Sequence, residues 1–314
     1  MQNQTPQPNA ATASMPEPQN ESPIWGANTL LMGPVGTGKT HSIGTWIATY
    51  NPLQRKWDLL PNNDLELFII FTEPHMQVLA GLPPSRLHWK YIPPAVDSWK
   101  SMAENAKRLT DMSWDFLSKQ TSDPNKRRYT SFVDILSACA DFKCDRTGES
   151  FGCVDDWRPN RVLVLDGLSG LNHAALQMIT GRAPSRTIPQ WGCAMDNELA
   201  FINQACYATH AHFVLIAHPD RQKDEVQGGY KRMPLALGNK NAPEIPKNFR
   251  NTIEAKRNGS QFLWDTANTE ADTVARDVPI SDKLEPNFQQ IYLAWKAAAD
   301  AEQTHTKPQE TAAM

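Results

Sequence analysis

The segment that most constrains this chain is a glycine-rich loop that follows a short apolar run. Residues 28–41 read NTLLMGPVGTGKTH, and residues 33–40 within them fit the spacing GxxxxGKT. The apolar residues 29–32 suit a buried strand. After the loop, apolar residues recur at helical spacing until a proline ends the pattern: Ile43, Ile47, Tyr50 and Pro52. A strand, a tight glycine turn and a helix in this order predict one unit of an α/β fold.

This loop has the residue types of a phosphate-binding loop. Its glycines let the backbone turn tightly, so that successive N–H groups point inward at an anion. The positive end of the following helix faces the same anion. Lys39 is expected to reach the β- and γ-phosphates of a nucleoside triphosphate, and the Thr40 hydroxyl to ligate Mg²⁺. The predicted nucleotide-binding residues are Gly33, Pro34, Val35, Gly36, Thr37, Gly38, Lys39, Thr40 and His41.

Length and charge set broad limits on the class of protein. The chain has 314 residues, of which 40% are hydrophobic, enough for one large α/β domain or two small ones. Its net charge of −3 argues against a uniformly basic nucleic-acid binder but leaves room for a local basic groove. No apolar run approaches the ~20 residues that a membrane span needs, and the start of the chain lacks the apolar core of a signal peptide.

The cysteines indicate a reducing compartment. Five cysteines, an odd number, in a long chain without a secretory signal are typical of reduced thiols in a cytoplasm. Zinc binding by Cys139, Cys144 and Cys153 is an alternative. Their spacing is not that of a zinc ribbon or finger, so free thiols are favoured.

The chain reads as one domain between two polar tails. Residues 1–23 are rich in Pro, Gln and Asn, and residues 301–314 are similar, so both are predicted to be disordered or flexible. Between them, apolar runs predict strands near 65–71, 161–166 and 212–218, and helical stripes lie at 99–118, 132–139, 195–206 and 288–295. This alternation predicts a mostly parallel, twisted sheet with helices on both faces. Trp46, Trp99 and Trp295 lie on the helical patterns and are predicted to pack in the core, whereas Trp157 and Trp191 lie in turn-like contexts.

Three polar residues follow or end predicted strands, where ligands of parallel sheets bind. Asp166 is placed to hold Mg²⁺ beside the loop, or alternatively caps the next turn. Glu73 could orient the water that attacks the γ-phosphate, or be an exposed acid. His218 could contact the γ-phosphate and report its presence to the next segment, or be an ordinary hydrogen-bonding residue.

Residues 219–250 are polar, rich in Gly and Pro, and predicted to be a long flexible loop. They hold basic residues, interspersed with Asp220, Asp224, Glu225 and Glu244, that could contact a nucleic-acid backbone: Arg221, Lys223, Lys231, Arg232, Lys240, Lys247 and Arg250. A solvated surface loop is the alternative. Lys240, Lys247 or Arg250 could instead reach the γ-phosphate of a neighbouring subunit.

Several motifs together resemble RecA-type recombinases. The segment 71–75, Phe-Thr-Glu-Pro-His, looks like their strand-end glutamate, and 163–171 resembles their second nucleotide motif. The segment 213–218 is similar to the strand that ends in their γ-phosphate-sensing residue, although glutamine usually stands where this chain has His218. The segments 234–240 and 275–279 resemble, more closely, bacteriophage RecA-like ATPases that act as single-strand annealing proteins.

The resemblance covers roughly residues 26–296. It implies a RecA-like P-loop ATPase domain over 24–300, with an insertion within about 76–160. It also implies ATP and Mg²⁺ as cofactors, single-stranded DNA as partner and self-association with ATP at subunit interfaces, and a single-strand binding protein is a further possible partner. Lys39, Glu73 and His218 are the expected catalytic residues, and Thr40 and Asp166 the expected metal ligands. Two other functions stay open: a nucleotide-dependent assembly factor that touches no DNA, and a DNA translocase.

Overall fold

A central sheet organises the chain in the computed structural model, which describes residues 25–223 and 228–306. The strands are β1 Asn28–Met32, β2 Ala48–Asn51, β3 Lys56–Leu59, β4 Glu66–Phe71, β5 Leu87–Tyr91, β6 Arg161–Asp166, β7 His212–Ala217, β8 Pro219–Lys223, β9 Tyr230–Pro234, β10 Asn251–Asn258, β11 Gln261–Asp265 and β12 Val274–Ala275. The α-helices are α1 Lys39–Ile43, α2 Trp99–Thr110, α3 Trp114–Leu117, α4 Ser131–Ala140, α5 Leu168–Thr180, α6 Ile188–Tyr207, α7 Gly238–Asn241 and α8 Gln289–Thr306.

The sheet is mostly parallel and is covered on both faces. Its strand order is β11-β10-β1-β7-β6-β4-β5, with β12 also paired to β10, and only β11 and β12 run antiparallel to their neighbour. Alternate residues of β1, β4, β6 and β7 enter opposite cores, as the period of two requires. One core contains Leu163 with side chains of α4, α5 and α6. The other contains Val164 with side chains of α1 and α8. The predicted α/β class, parallel sheet and two-sided covering are confirmed at this level.

Three predictions about the ends of the chain and the membrane have different outcomes. The predicted tail 1–23 lies outside the described residues, as do residues 307–314 and the acids Asp224 and Glu225. Helix α8 extends to Thr306, six residues past the predicted domain end at residue 300. Within the described ranges, no helix combines the length and apolarity that crossing a bilayer would require.

The helix predicted over 43–50 is wrong beyond its first turn. Helix α1 ends at Ile43 and a 3₁₀ turn follows, after which β2 pairs with β3 in an antiparallel hairpin. Gly44 has no Cβ, and a Cβ there would lie 2.5 Å from the Trp57 ring. Tyr50 packs on the same ring, 5.0 Å between centroids. The aromatic contacts to Trp57 therefore favour the hairpin, and helical spacing in so short a segment does not distinguish helix from strand.

The single helix predicted over 99–118 is divided into α2 and α3, and Trp99 faces solvent rather than the core. Ser113 accepts a hydrogen bond from the Phe116 N–H and caps α3, which breaks the pattern after α2. Trp99, predicted to be core, is 86% exposed, whereas Trp46 is fully buried as predicted. Trp191, predicted in a turn, lies inside α6, whose start at Thr187 has a capping box.

The segment 219–250 is not the long unstructured loop that its composition predicts. β8 and β9 pair from Pro219–Pro234 to Lys223–Tyr230, and residues 224–227 between them are not described. Helix α7 follows, where the buried Asn241 side chain donates to the Met195 carbonyl. Turn-forming residues in this segment connect short elements, which composition alone does not distinguish from a loop.

Close packing of α5 on the end of β4 gives a stability prediction. A Cβ at Gly170 would lie 2.2 Å from the Thr72 Oγ1, whereas a Cβ at Gly192, also inside a helix, would meet nothing within 4 Å. We expect Gly170→Ala to lower the free energy of unfolding by about 1–3 kcal/mol, because overpacking forces the backbone apart. Gly192→Ala, the matched control, should raise it by about 0.5–1 kcal/mol through helix propensity. Urea unfolding measures both, and equal effects of the two substitutions would contradict the packing argument.

Candidate functional site

The predicted site residues meet at the carboxyl edge of the sheet because the parallel strands β4, β6, β7 and β1 end within one residue of one another. Phe71 pairs with Asp166, Asp166 with Ile216, and Ala217 with Met32. Backbone bonds extend this alignment past the strand ends: the Gly33 N–H donates to the Ala217 carbonyl at 3.2 Å. The loop, Glu73, Asp166 and His218 therefore occupy one edge, as predicted.

The loop between β1 and α1 has the glycine conformations that its spacing predicts. Gly36 and Gly38 adopt φ of 77° and 80°, the left-handed region that favours glycine. A Cβ at Gly33 would lie 2.6 Å from the Ala255 carbonyl oxygen, so the loop approaches β10 closely. Because α1 has only five residues, an anion bound at the loop would depend on the backbone N–H groups there as well as on the helix dipole.

The remaining loop residues are arranged around this turn. The Thr37 hydroxyl donates to the Pro34 carbonyl at 2.9 Å, and Val35 is exposed at the tip. The His41 ring packs against the β2–β3 hairpin, 4.5 Å from the Tyr50 ring and 4.7 Å from that of Trp57. Burial lowers the pKa of His41. His41 therefore contributes its ring to packing, and only its place in the loop associates it with the predicted anion site.

Lys39 is a buried cation whose ammonium donates to the Gly33 and Pro34 carbonyls at 2.6 and 2.9 Å. The residue is only 7% exposed. Burial lowers the pKa of Lys39 to about 8, and the carboxylates of Asp166 and Glu73 offset part of that shift. A cation that is desolvated in this way gains from an added anion.

The Thr40 hydroxyl and the Asp166 carboxylate are in direct contact. Thr40 Oγ1 donates to Asp166 Oδ2 at 2.8 Å, and Asp166 is 4% exposed. Burial raises the pKa of Asp166 to about 6, and the Thr40 hydrogen bond opposes the shift. Two oxygen donors, one of them a buried carboxylate, fit the ligand preference of Mg²⁺.

A larger protein-only metal cluster is absent from residues 25–223 and 228–306: no three His, Cys, Asp or Glu side chains converge there. A cation at Thr40 and Asp166 would therefore take its other oxygens from phosphate or water. Cys139, Cys144 and Cys153 form no disulfide, and none of them belongs to such a group of three among the described residues.

Glu73 is held at this edge by its neighbours. The Thr72 N–H donates to the Asp166 carbonyl at 2.9 Å, and the Thr72 hydroxyl contacts the Gly167 carbonyl at 3.0 Å. The Glu73 side chain is 32% exposed, and its Oε2 lies 3.0 Å from His75 Nε2. Its carboxylate is therefore solvent-accessible yet oriented, which is what positioning a water molecule requires.

His218 lies between the loop and the β8–β9 hairpin. Burial lowers the pKa of His218, with a further lowering by the charge of Lys39 and opposition from Glu73. Its carbonyl accepts a hydrogen bond from the Leu235 N–H at 2.8 Å, and β8 begins at the next residue. His218 therefore lies beside the loop, as the sequence predicts. Its role in sensing the γ-phosphate stays a prediction.

The seven basic residues predicted to contact a nucleic-acid backbone differ in their surroundings. Four of them form ion pairs: Lys231 with Asp272, Arg232 with Glu254, Lys247 with Glu244 and Arg250 with Asp277. Arg250 precedes β10, and its N–H donates to Asn28 Oδ1 at the amino edge of the sheet, opposite the edge that holds the loop. Arg221, Lys223 and Lys240 are exposed, and within the described ranges no ion pair involves them.

Two residues near the loop lie on strands, β10 and β11, that were not predicted from the sequence. Phe262 of β11 lies beside the loop, since a Cβ at Gly38 would be 3.1 Å from its ring. Glu254 of β10 is buried, pairs in register with Met32, and lies 2.7 Å from Arg232 of β9. Gly170 was part of a recognised motif, but its close contact with Thr72 has no sequence signature.

No protein-family model and no curated protein sequence matches the chain. The interpretation of the site therefore depends on its geometry and on the motifs themselves.

The raised pKa of Asp166 predicts an unusual effect of neutralising it. The folded state favours the protonated acid, so stability falls as pH rises from about 4 to about 6, and the cost is fully present above pH 6. We expect Asp166→Asn to be more stable than the wild type by about 1–3 kcal/mol at pH 7.5 and nearly equal to it at pH 4. Denaturant unfolding at both pH values measures this, with the exposed Asp58→Asn as control. An equal loss of stability at both pH values would contradict the burial argument.

Proposed function

We propose that this chain is a Mg²⁺-dependent ATPase of RecA-like fold that acts on single-stranded DNA. The observation that carries the proposal is the convergence of Lys39, the Thr40–Asp166 pair and Glu73 at one edge of a parallel sheet. Each residue type matches a separate requirement of phosphoryl transfer: a cation for the phosphates, oxygens for the metal and a carboxylate for the water.

Binding of ATP would follow from the desolvated charges. The loop N–H groups would hold the phosphates, and Lys39 would exchange its carbonyl acceptors for phosphate oxygens, a stronger charge-assisted pairing. Thr40 would ligate Mg²⁺, with Asp166 as a direct or water-mediated ligand. When bound, Mg²⁺ neutralises charge on the β- and γ-phosphates.

Hydrolysis would depend on Glu73. Its carboxylate would orient a water molecule and accept its proton as the water oxygen bonds to the γ-phosphorus and the bond to the β-phosphate oxygen breaks. ATP and water give ADP and phosphate. His75, 3.0 Å from the Glu73 carboxylate, would fix its orientation. Lys39 would stabilise the charge that develops on the transferred phosphoryl group.

His218 would couple phosphate state to the β8–β9 hairpin that follows it. The hydrogen bond from Leu235 to the His218 carbonyl gives this coupling a physical route. Self-association with ATP at subunit interfaces and cooperation with a single-strand binding protein belong to the same proposal. The five free thiols favour a cytoplasmic location.

Substituting Glu73 tests the catalytic assignment. We expect Glu73→Gln to bind ATP as the wild type does while its turnover falls by about 10²- to 10⁴-fold, because the amide cannot accept the proton. Lys39→Ala should instead lose nucleotide binding and hydrolysis together. Phosphate release and binding of a fluorescent ATP analogue separate the two effects. An unchanged rate in Glu73→Gln would assign the water-activating role to another residue.

A second candidate function is a nucleotide-dependent assembly factor that does not bind DNA. It is favoured because four of the seven basic residues predicted to contact DNA are held in ion pairs within the protein. The ATPase rate with and without single-stranded DNA distinguishes the two. Our proposal predicts stimulation whose half-maximal DNA concentration rises steeply with salt, with a log–log slope of about 0.7 per phosphate contacted. A rate that ignores DNA at every salt concentration would favour the assembly factor.

A further inference from the structure

Helix α2 has its apolar side turned outward. Trp99, Met102 and Leu109 form a stripe at helical spacing, and all three are exposed. The less exposed positions of the helix include the polar residues Ser101 and Asn105. A helix that packs against a core shows the opposite arrangement, so this stripe is available to a ligand.

The exposed apolar character continues beyond α2. Trp114 and Phe116 of α3 are 73% and 49% exposed. We call the exposed side chains of residues 96–128 the aromatic–basic surface. It contains three exposed rings, those of Trp99, Trp114 and Phe116, and each can stack on a planar ligand.

This surface carries positive charge in a chain that is acidic overall. Residues 96–128 contain seven Lys and Arg against five Asp and Glu, a net charge of +2. Since the whole chain carries −3, the remaining residues carry −5. Lys100 and Lys107 lie two turns apart along one side of the apolar stripe, and both are exposed. Lys126 and Arg127 are exposed in the turn before α4.

The surface is attached to the carboxyl edge of the sheet. The Ile92 N–H donates to the Phe71 carbonyl at 2.8 Å, two residues before Glu73. Ser131, the first residue of α4, donates to the Pro93 carbonyl at 2.8 Å, so the segment 92–130 leaves and rejoins the sheet at the same edge. Within the segment, Arg128 pairs with the buried Asp97 at 2.9 Å.

We propose that the aromatic–basic surface binds single-stranded DNA, with the rings stacking on bases and the lysines and arginines contacting phosphates. This deepens the proposed function and rests on its choice of single-stranded DNA as partner. Exposed rings beside a basic track are what sequence-tolerant binding of single strands requires. The alternative surface, the segment 219–250, has most of its cations in ion pairs, whereas Lys100, Lys107 and Arg127 are exposed and, among the described residues, in no ion pair.

Fluorescence anisotropy of a labelled oligodeoxythymidine with the full-length chain tests the proposal. The double substitution Trp99→Ala/Trp114→Ala should weaken binding at least about ten-fold, since each stacked base is lost separately. Trp99→Phe/Trp114→Phe keeps two rings and should retain most of the affinity, whereas leucine at both positions should not. Lys107→Ala/Arg127→Ala should reduce the log–log salt slope by about 0.7 for each lost phosphate contact.

Controls address folding and the rival surfaces. Leu53→Ala/Ile280→Ala removes equally exposed apolar side chains and should bind like the wild type. Thermal unfolding followed by circular dichroism checks that each variant is folded. Wild-type affinity in the alanine and leucine variants would overturn the proposal, and a loss of affinity in Arg221→Ala/Lys223→Ala would then assign DNA binding to the β8–β9 hairpin.

Two other outcomes would also overturn it. If the tryptophan substitutions change the oligomeric state by light scattering and leave DNA affinity unchanged, the surface is an interface between protein copies. If the wild type hydrolyses ATP but does not bind the oligonucleotide, the surface has another ligand while the ATPase assignment stands. Binding through this surface without any ATP hydrolysis would support the inference and refute the ATPase.

Discussion

The parallel register of β4, β6, β7 and β1 is the constraint on which the candidate site depends. The middle of each of these strands is apolar, and the polar side chains of the site come where β4, β6 and β7 end. The register brings the ends of β4 and β6 level, and β7 and β1 follow within one residue. A slip of one residue between β6 and β7 would move the Asp166 side chain to the other face of the sheet. Thr40 would then lose its partner.

Lys39 and Asp166 are buried ionisable groups whose charges are only partly compensated by their neighbours. The pKa of Lys39 is lowered to about 8 and that of Asp166 is raised to about 6, so burial shifts the two values toward each other. Each shift is a free-energy cost of holding the charged group in the folded protein. A polyanion with a divalent cation supplies both missing charges at once. The burial of these two groups therefore favours binding of a polyanion together with a divalent cation over binding of either ion alone.

Strand interiors and strand ends were predictable from sequence because they obey strong local rules. Continuous apolar runs identified β4, β6 and β7, and the glycine spacing identified the loop. Helix α2 was placed correctly in the chain, but periodicity cannot show whether an apolar stripe faces the core or the solvent. The β2–β3 hairpin depends on Trp57 and Gly44, and β10 contains polar residues such as Asn251 and Glu254 that mask a buried strand. In the segment 219–250, cross-strand ion pairs such as Arg232 with Glu254 depend on tertiary placement.

Both accessory segments of this chain are attached at the ends of the strands that carry the site. The segment 92–130 is bonded to the Phe71 carbonyl beside Glu73, and the β8–β9 hairpin begins directly after His218. The hairpin is also tied to β10 through Arg232 and the buried Glu254, whose register partner Met32 immediately precedes the loop. A movement of Glu73 or His218 when a phosphate binds or leaves would therefore reach these segments through one or two hydrogen bonds. Residues at the opposite edge, such as Arg250, have no comparably short route. If the chain converts nucleotide state into action on a partner, the partner is best sought at the carboxyl edge.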